Sequence, residues 1–301
     1  MPKLSTPNFV LAIMCVSEVD DSHCYGDGHM IIDAHAHIYS TEENAYPPIA
    51  KPLRPPAGMG TVEQLQREMR DADVDRALLI QTYTFYGFDN RFIRDTSSNV
   101  KNWAGGVVNL DPAHPHSPDA LHALAERSNI KAVRVSFEAY GYGVPGISLL
   151  YEEASRLGIP VNALLTLEHA DRLEALLDTY PDLTVVLDHC LYLQAGSLFE
   201  LTVEKVVELA KRPNVYAKLS FLAMGSADEY PFQDMHEACA RFIEAYGPDR
   251  CIWGSCFPTE LFCPKTTYEG QLRLFREELG LRPFELDDIL GGTAERVYFG
   301  A

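Results

Sequence analysis

The chain has 301 residues, 47% hydrophobic and 23% charged, close to the average of globular proteins and enough to bury a full core. Its formal net charge of -18, from 43 acidic against 25 basic side chains, repels phosphate backbones and anionic lipid surfaces. Disordered and fibrous classes are excluded, nucleic-acid and membrane partners are disfavoured, and a small molecule is the expected partner; a homo-oligomer is compatible with these numbers.

The seven cysteines (15, 24, 190, 239, 251, 256 and 263) are odd in number and form no CxxC pair, so a reducing, cytoplasmic setting is expected. Residues 1–29 show no regular period and read as an N-terminal extension. Their apolar run at 9–16, FVLAIMCV, is too short to span a bilayer and lacks the flanks of a signal peptide.

From Met30 short apolar runs alternate with helical periods, the pattern of repeated βα units. The predicted strands are MIIDAH (30–35), RALLIQ (76–81), WAGGVVNL (103–110), IKAVRVSF (130–137), IPVNALL (159–165), LTVVLDH (183–189), NVYAKLS (214–220) and RCIWGS (250–255). Amphipathic segments such as TVEQLQREMRDADV, SLLYEEASRLG and TVEKVVELAKR lie between them, and two more follow the last strand. Eight such units make residues 30–301 one α/β domain, a (β/α)8 TIM barrel. The stretch at 40–60 is its longest βα loop and belongs on the face that carries chemistry.

DAHAH at 33–37 places His35 and His37 two apart at a strand end, so both imidazoles face one way and can share a metal; the alternative is a pair of polar loop residues. His189, ending the sixth strand at the same rim, makes three imidazoles converge, or caps the barrel. Neutral imidazoles suit zinc and similar divalent ions.

DAHAH, IQTYTFYGFDN, VLDHC, NVYAKLS and DRCIWGSCFP, in this order, resemble the amidohydrolase superfamily, in the branch of 2-pyrone-4,6-dicarboxylate lactonases and L-fuconolactonases. The resemblance spans about Met30 to Phe299. It implies hydrolysis of a lactone or similar carboxylic ester around the HxH pair, the His of the DH motif and an Asp after the eighth strand; some members use a metal and others do not. It also implies that Gln81, Tyr86 and Asn90 shape the pocket or its rim; the alternative is that they pack the loop and form its turn.

The chain departs from that pattern at Cys256, which stands where the family has the Asp. The thiol is a candidate fourth ligand beside His35, His37 and His189, a thiolate base or nucleophile, or an inert group in a barrel that binds without turnover. Glu260 is a candidate substitute carboxylate. Arg134 and Lys218, charged residues on predicted strands, are candidates to hold a substrate carboxylate or polarise its carbonyl, or else form an ion pair inside the barrel. Tyr39 is a candidate donor to a substrate oxygen, or packs at the rim. The expected activity is hydrolysis at a lactone, with a metal-dependent decarboxylase or a non-catalytic binding barrel as the rivals.

Overall fold

The computed structural model describes residues 30–136 and 142–300. The N-terminal extension, Cys15 and Cys24 lie outside the described residues, as does the segment following the fourth strand at 137–141. Eight strands, β1 (Ile32–His37), β2 (Arg76–Ile80), β3 (Ala104–Asn109), β4 (Ile130–Ser136), β5 (Val161–Leu164), β6 (Val185–Leu187), β7 (Val215–Lys218) and β8 (Cys251–Ile252), form one sheet in sequence order. Every neighbouring pair is parallel. The chain just past β8 returns to β1, where His37 donates its amide to the Phe257 carbonyl at 2.8 Å and Ala36 bridges Phe257, so the sheet curls into a barrel.

Two apolar layers hold it together, as the two-residue period of a strand requires. Ile32, Ala34, Leu78, Ile80, Val107, Ala132, Val186 and Ile252 fill the barrel interior, and Tyr298 packs with them. The larger layer lies between the strands and the surrounding helices. Helices Val62–Asp71, Ile147–Leu157 and Phe199–Leu209 fall on predicted helical periods. Helix Arg91–Asn99, between β2 and β3, was not expected; its Thr, Ser and Asn residues favour turns and caps over helix interiors, which hid its period. It is anchored by buried Phe92 and Ile93.

The end of β8 packs unusually close to β1. A Cβ on Gly254 would stand 2.6 Å from the His35 Cβ and 3.0 Å from its backbone nitrogen, so no other residue fits without displacement. That close approach brings the GSCFP segment to the histidines.

Candidate active site

Polar side chains collect where the strands end at the barrel's C-terminal rim. His35 and His37 are almost fully buried, with their Nε2 atoms 3.2 Å apart. His37 Nδ1 lies 3.0 Å from the Ile80 carbonyl, which can only accept, so Nδ1 carries the proton and Nε2 presents a lone pair. The His189 ring stands 4.6 Å from that of His35, and its Nδ1 is 2.8 Å from Ser220 Oγ. Cys256 Sγ donates to the Ser220 carbonyl and lies 3.9 Å from His189 Nδ1. Ligand atoms of His35, His189 and Cys256 all lie within 4.8 Å of one another. His37 stands beside this trio, in contact with His35.

The backbone that delivers these groups is strained. His189, Cys190, Leu191 and Tyr192 have φ between 48° and 59°, and Cys256 has φ 55°. Each left-handed residue without glycine costs on the order of 1–2 kcal/mol and persists only where its surroundings fix it. Asp33 fixes the Cys256 segment: its carboxylate accepts the backbone N–H of His35 and of Ser255, the Ser255 hydroxyl at 2.6 Å and the Tyr268 hydroxyl at 3.1 Å.

Beneath the histidines lies a buried charge cluster. Asp188 receives Lys218 Nζ at 2.8 Å and Arg134 Nε at 2.7 Å, with His35 Nδ1 3.9 Å away. Burial alone would raise the Asp188 carboxyl, but the charges of Lys218 and Arg134 outweigh it and hold the group well below the ordinary carboxylate range. Burial, aided by the neighbouring cationic groups, keeps His35 far below the usual imidazole value and brings His37 down to about 3. Both are therefore neutral at neutral pH, the form that ligates metals. The Cys256 thiol is pushed up by its contact with Cys263 and by burial, so without a metal it keeps its proton.

A cavity of about 190 Å³ opens onto this cluster and is lined by His35, His37, Arg134, His189 and Cys256 together with residues from the surrounding loops. Leu53, from the long loop after β1, reaches it. A larger groove of about 660 Å³ runs past helix Gln233–Tyr246 and Leu279, and contains none of the clustered imidazoles.

Several sequence candidates sit elsewhere. Lys218 is fully buried and does not line the cavity; besides Asp188 it donates to the Ala34 carbonyl. Gln81 donates to the Gly87 and Asp89 carbonyls and so braces the turn after β2. Tyr86 accepts the Ser40 amide, and Tyr39 packs edge-on against Phe85; neither lines the cavity. Asn90 binds the backbone of Asn109 on β3. Glu260 is exposed, accepts from Gln64 and does not reach back to the histidines. Sequence reasoning missed Asp188, whose signal was the DH dipeptide itself, and Ser220 and Tyr268, which had none.

A family model for amidohydrolases matches residues 32–300. The chain belongs to the amidohydrolase family. Among amidohydrolase relatives, the L-fucono-1,5-lactonase of Burkholderia ambifaria is 25% identical over 240 residues, covering 75% of this chain and 80% of its own. A probable 2-pyrone-4,6-dicarboxylic acid hydrolase of Acinetobacter baumannii, solved with citric acid bound, superposes with a TM-score of 0.75 at 20% identity over 89% of this chain and 98% of its own. An amidohydrolase of Burkholderia multivorans solved with bound zinc gives 0.72 at 19% identity, covering 90% and 99%.

Proposed function

We propose that this amidohydrolase hydrolyses a lactone or related carboxylic ester of a small acid, at a centre made of His35, His189 and Cys256 with His37 beside it. The observation that carries the reading is the convergence of these groups on a cavity that Arg134 also lines. The relatives' lactonase and pyrone-acid hydrolase descriptions support it.

A divalent ion fits the residues present. The ligand atoms of His35, His189 and Cys256 lie within 4.8 Å of one another, close enough for one divalent ion to meet all three. Neutral imidazoles and a thiol that loses its proton on coordination form a set suited to zinc. When bound, such an ion supplies a Lewis acid for the reacting carbonyl. Cys256 serves as a ligand, since a thiol that holds its proton this firmly is a poor resident base. Arg134 binds and orients the acid group through the guanidinium edge that Asp188 leaves open, since Asp188 engages only Nε. His37, with Nδ1 committed to Ile80, accepts a hydrogen bond through Nε2 and so orients the attacking water.

The test is acid release from a panel of aldonolactones, pyrone lactones and simple aryl or furanone lactones, followed with a pH indicator. At least one compound is hydrolysed, and His35→Ala abolishes the activity while the variant remains folded. A flat panel with folded, zinc-loaded protein overturns the proposal, and carbon dioxide release from an unsaturated acid would replace it with a decarboxylase.

A further inference from the structure

The floor and the walls of the cavity are chemically unlike. At the floor, one buried carboxylate, Asp188, is shared by two buried cations, Lys218 and Arg134, which leaves one positive charge in excess. Of these Arg134 lines the cavity, and no other Lys or Arg does among the described residues. The walls above it carry the carbon surfaces of Leu53, Leu164, Met224 and Phe262, with the rings of Tyr83 and Tyr192. Phe262 already stacks at a tilt on His37, 5.0 Å between ring centres. Of the small hydroxyl side chains, Thr82 sits 3.3 Å from His37 Nδ1, which leaves Thr84 and Ser136 to meet a ligand.

Such walls discriminate by what they fail to satisfy. A polyhydroxylated acid would press successive hydroxyls against carbon, at about 1–3 kcal/mol for each one left unpaired. A second carboxylate would meet no second Lys or Arg among the described residues of the wall. The cavity volume of about 190 Å³ suits one small ring and its substituent.

We propose that the cavity selects a small, flat, largely apolar lactone or ester bearing a single carboxylate, with that carboxylate on Arg134 and the ring against Leu164, Met224 and Phe262. The inference deepens the proposed hydrolase activity and rests on it only for the bond that is cleaved. A sugar-acid lactone or a dicarboxylate is the wrong shape of ligand for this wall.

Calorimetric titration of the unmodified protein with benzoate, 2-furoate, isophthalate, gluconate and benzamide tests it without turnover. Benzoate and furoate bind at least about tenfold more tightly than the other three, a difference of ~1.4 kcal/mol. Arg134→Gln erases the advantage of benzoate over benzamide. Because that change also strips Asp188 of a counter-ion, Met224→Ser gives a second arm that leaves every charge in place: it weakens benzoate several-fold and leaves gluconate unchanged. Gluconate or isophthalate binding as tightly as benzoate overturns the inference, and so does absence of binding by any acid at ~10 mM. Selective benzoate binding by a protein that hydrolyses no lactone would refute the hydrolase activity and leave the selectivity standing. Hydrolysis that favours sugar-acid lactones would do the reverse.

Discussion

Replacing Asp188 by Asn probes the charge cluster beneath the site. The substitution keeps the shape but removes the counter-ion of Lys218, 2.8 Å away, and of Arg134, 2.7 Å away. At an effective dielectric constant of about 20 each of these contacts is worth about 6 kcal/mol in Coulomb terms, most of it offset by the desolvation of groups that are 0% and 6% exposed. What remains measurable is the penalty of stranding a buried cation, about 3–5 kcal/mol. Urea unfolding followed by circular dichroism, on metal-free protein, reads this directly, and the melting temperature should fall by roughly 6–20 °C at about 2–4 °C per kcal/mol. Adding Lys218→Met to the same chain removes one stranded cation, so the double variant recovers part of the loss. A loss below about 1 kcal/mol for Asp188→Asn, or a double variant less stable than the single one, would mean that the three charges are not coupled as the geometry requires.

Three further outcomes follow from the same geometry. Protein purified without chelator contains near-stoichiometric divalent metal that is lost in His35→Ala, read by plasma mass spectrometry, and zinc uptake by the stripped protein releases protons as Cys256 ionises; uptake without proton release would remove the thiol from the ligand set. In metal-free protein His35 and His37 hold their folded pKa below the unfolded value of about 6.5, so the unfolded chain takes up protons first. Their contribution to stability is complete above pH ~6.5 and declines as pH falls below it, for His37 down to about 3, with a slope near ~1.4 kcal/mol per pH unit for each; urea midpoints that stay level between about pH 7 and 5 would contradict it. Tyr268→Phe deletes one of the hydrogen bonds to buried Asp33 and lowers stability by about 1–2 kcal/mol, and because Asp33 positions the Cys256 segment, metal affinity falls with it; unchanged affinity would uncouple that cradle from the site.

Much of this protein is legible in one dimension. The strand positions followed from short apolar runs because a strand buried on both faces must be apolar throughout, and all eight predicted segments contain the observed strands or overlap them. The HxH and DH motifs pointed to the rim because reactive groups in a barrel stand where strands end. The sequence also distinguished Arg134 and Lys218 as charges on strands, yet it could not tell which one faces the cavity; the answer depends on depth along the barrel, where Lys218 lies at the level of the Ala34 carbonyl and Arg134 reaches the opening.

Tertiary structure alone decided the contacts of the site. Cys256 meets His189 across 67 residues because the barrel closes β8 onto β1 and Gly254 admits the approach. Left-handed backbone at His189 and Cys256 aims the two side chains, and no hydrophobic period encodes a positive φ in a residue that is not glycine. Gln81, Tyr86 and Tyr39 lie near the same rim in sequence but turn toward loop carbonyls and aromatic packing instead of the cavity. Composition and period set which elements form and which faces they bury, since those depend on local geometry. Which imidazole stands within 4 Å of which thiol or carboxylate depends on ring closure and strain, which belong to the folded chain as a whole.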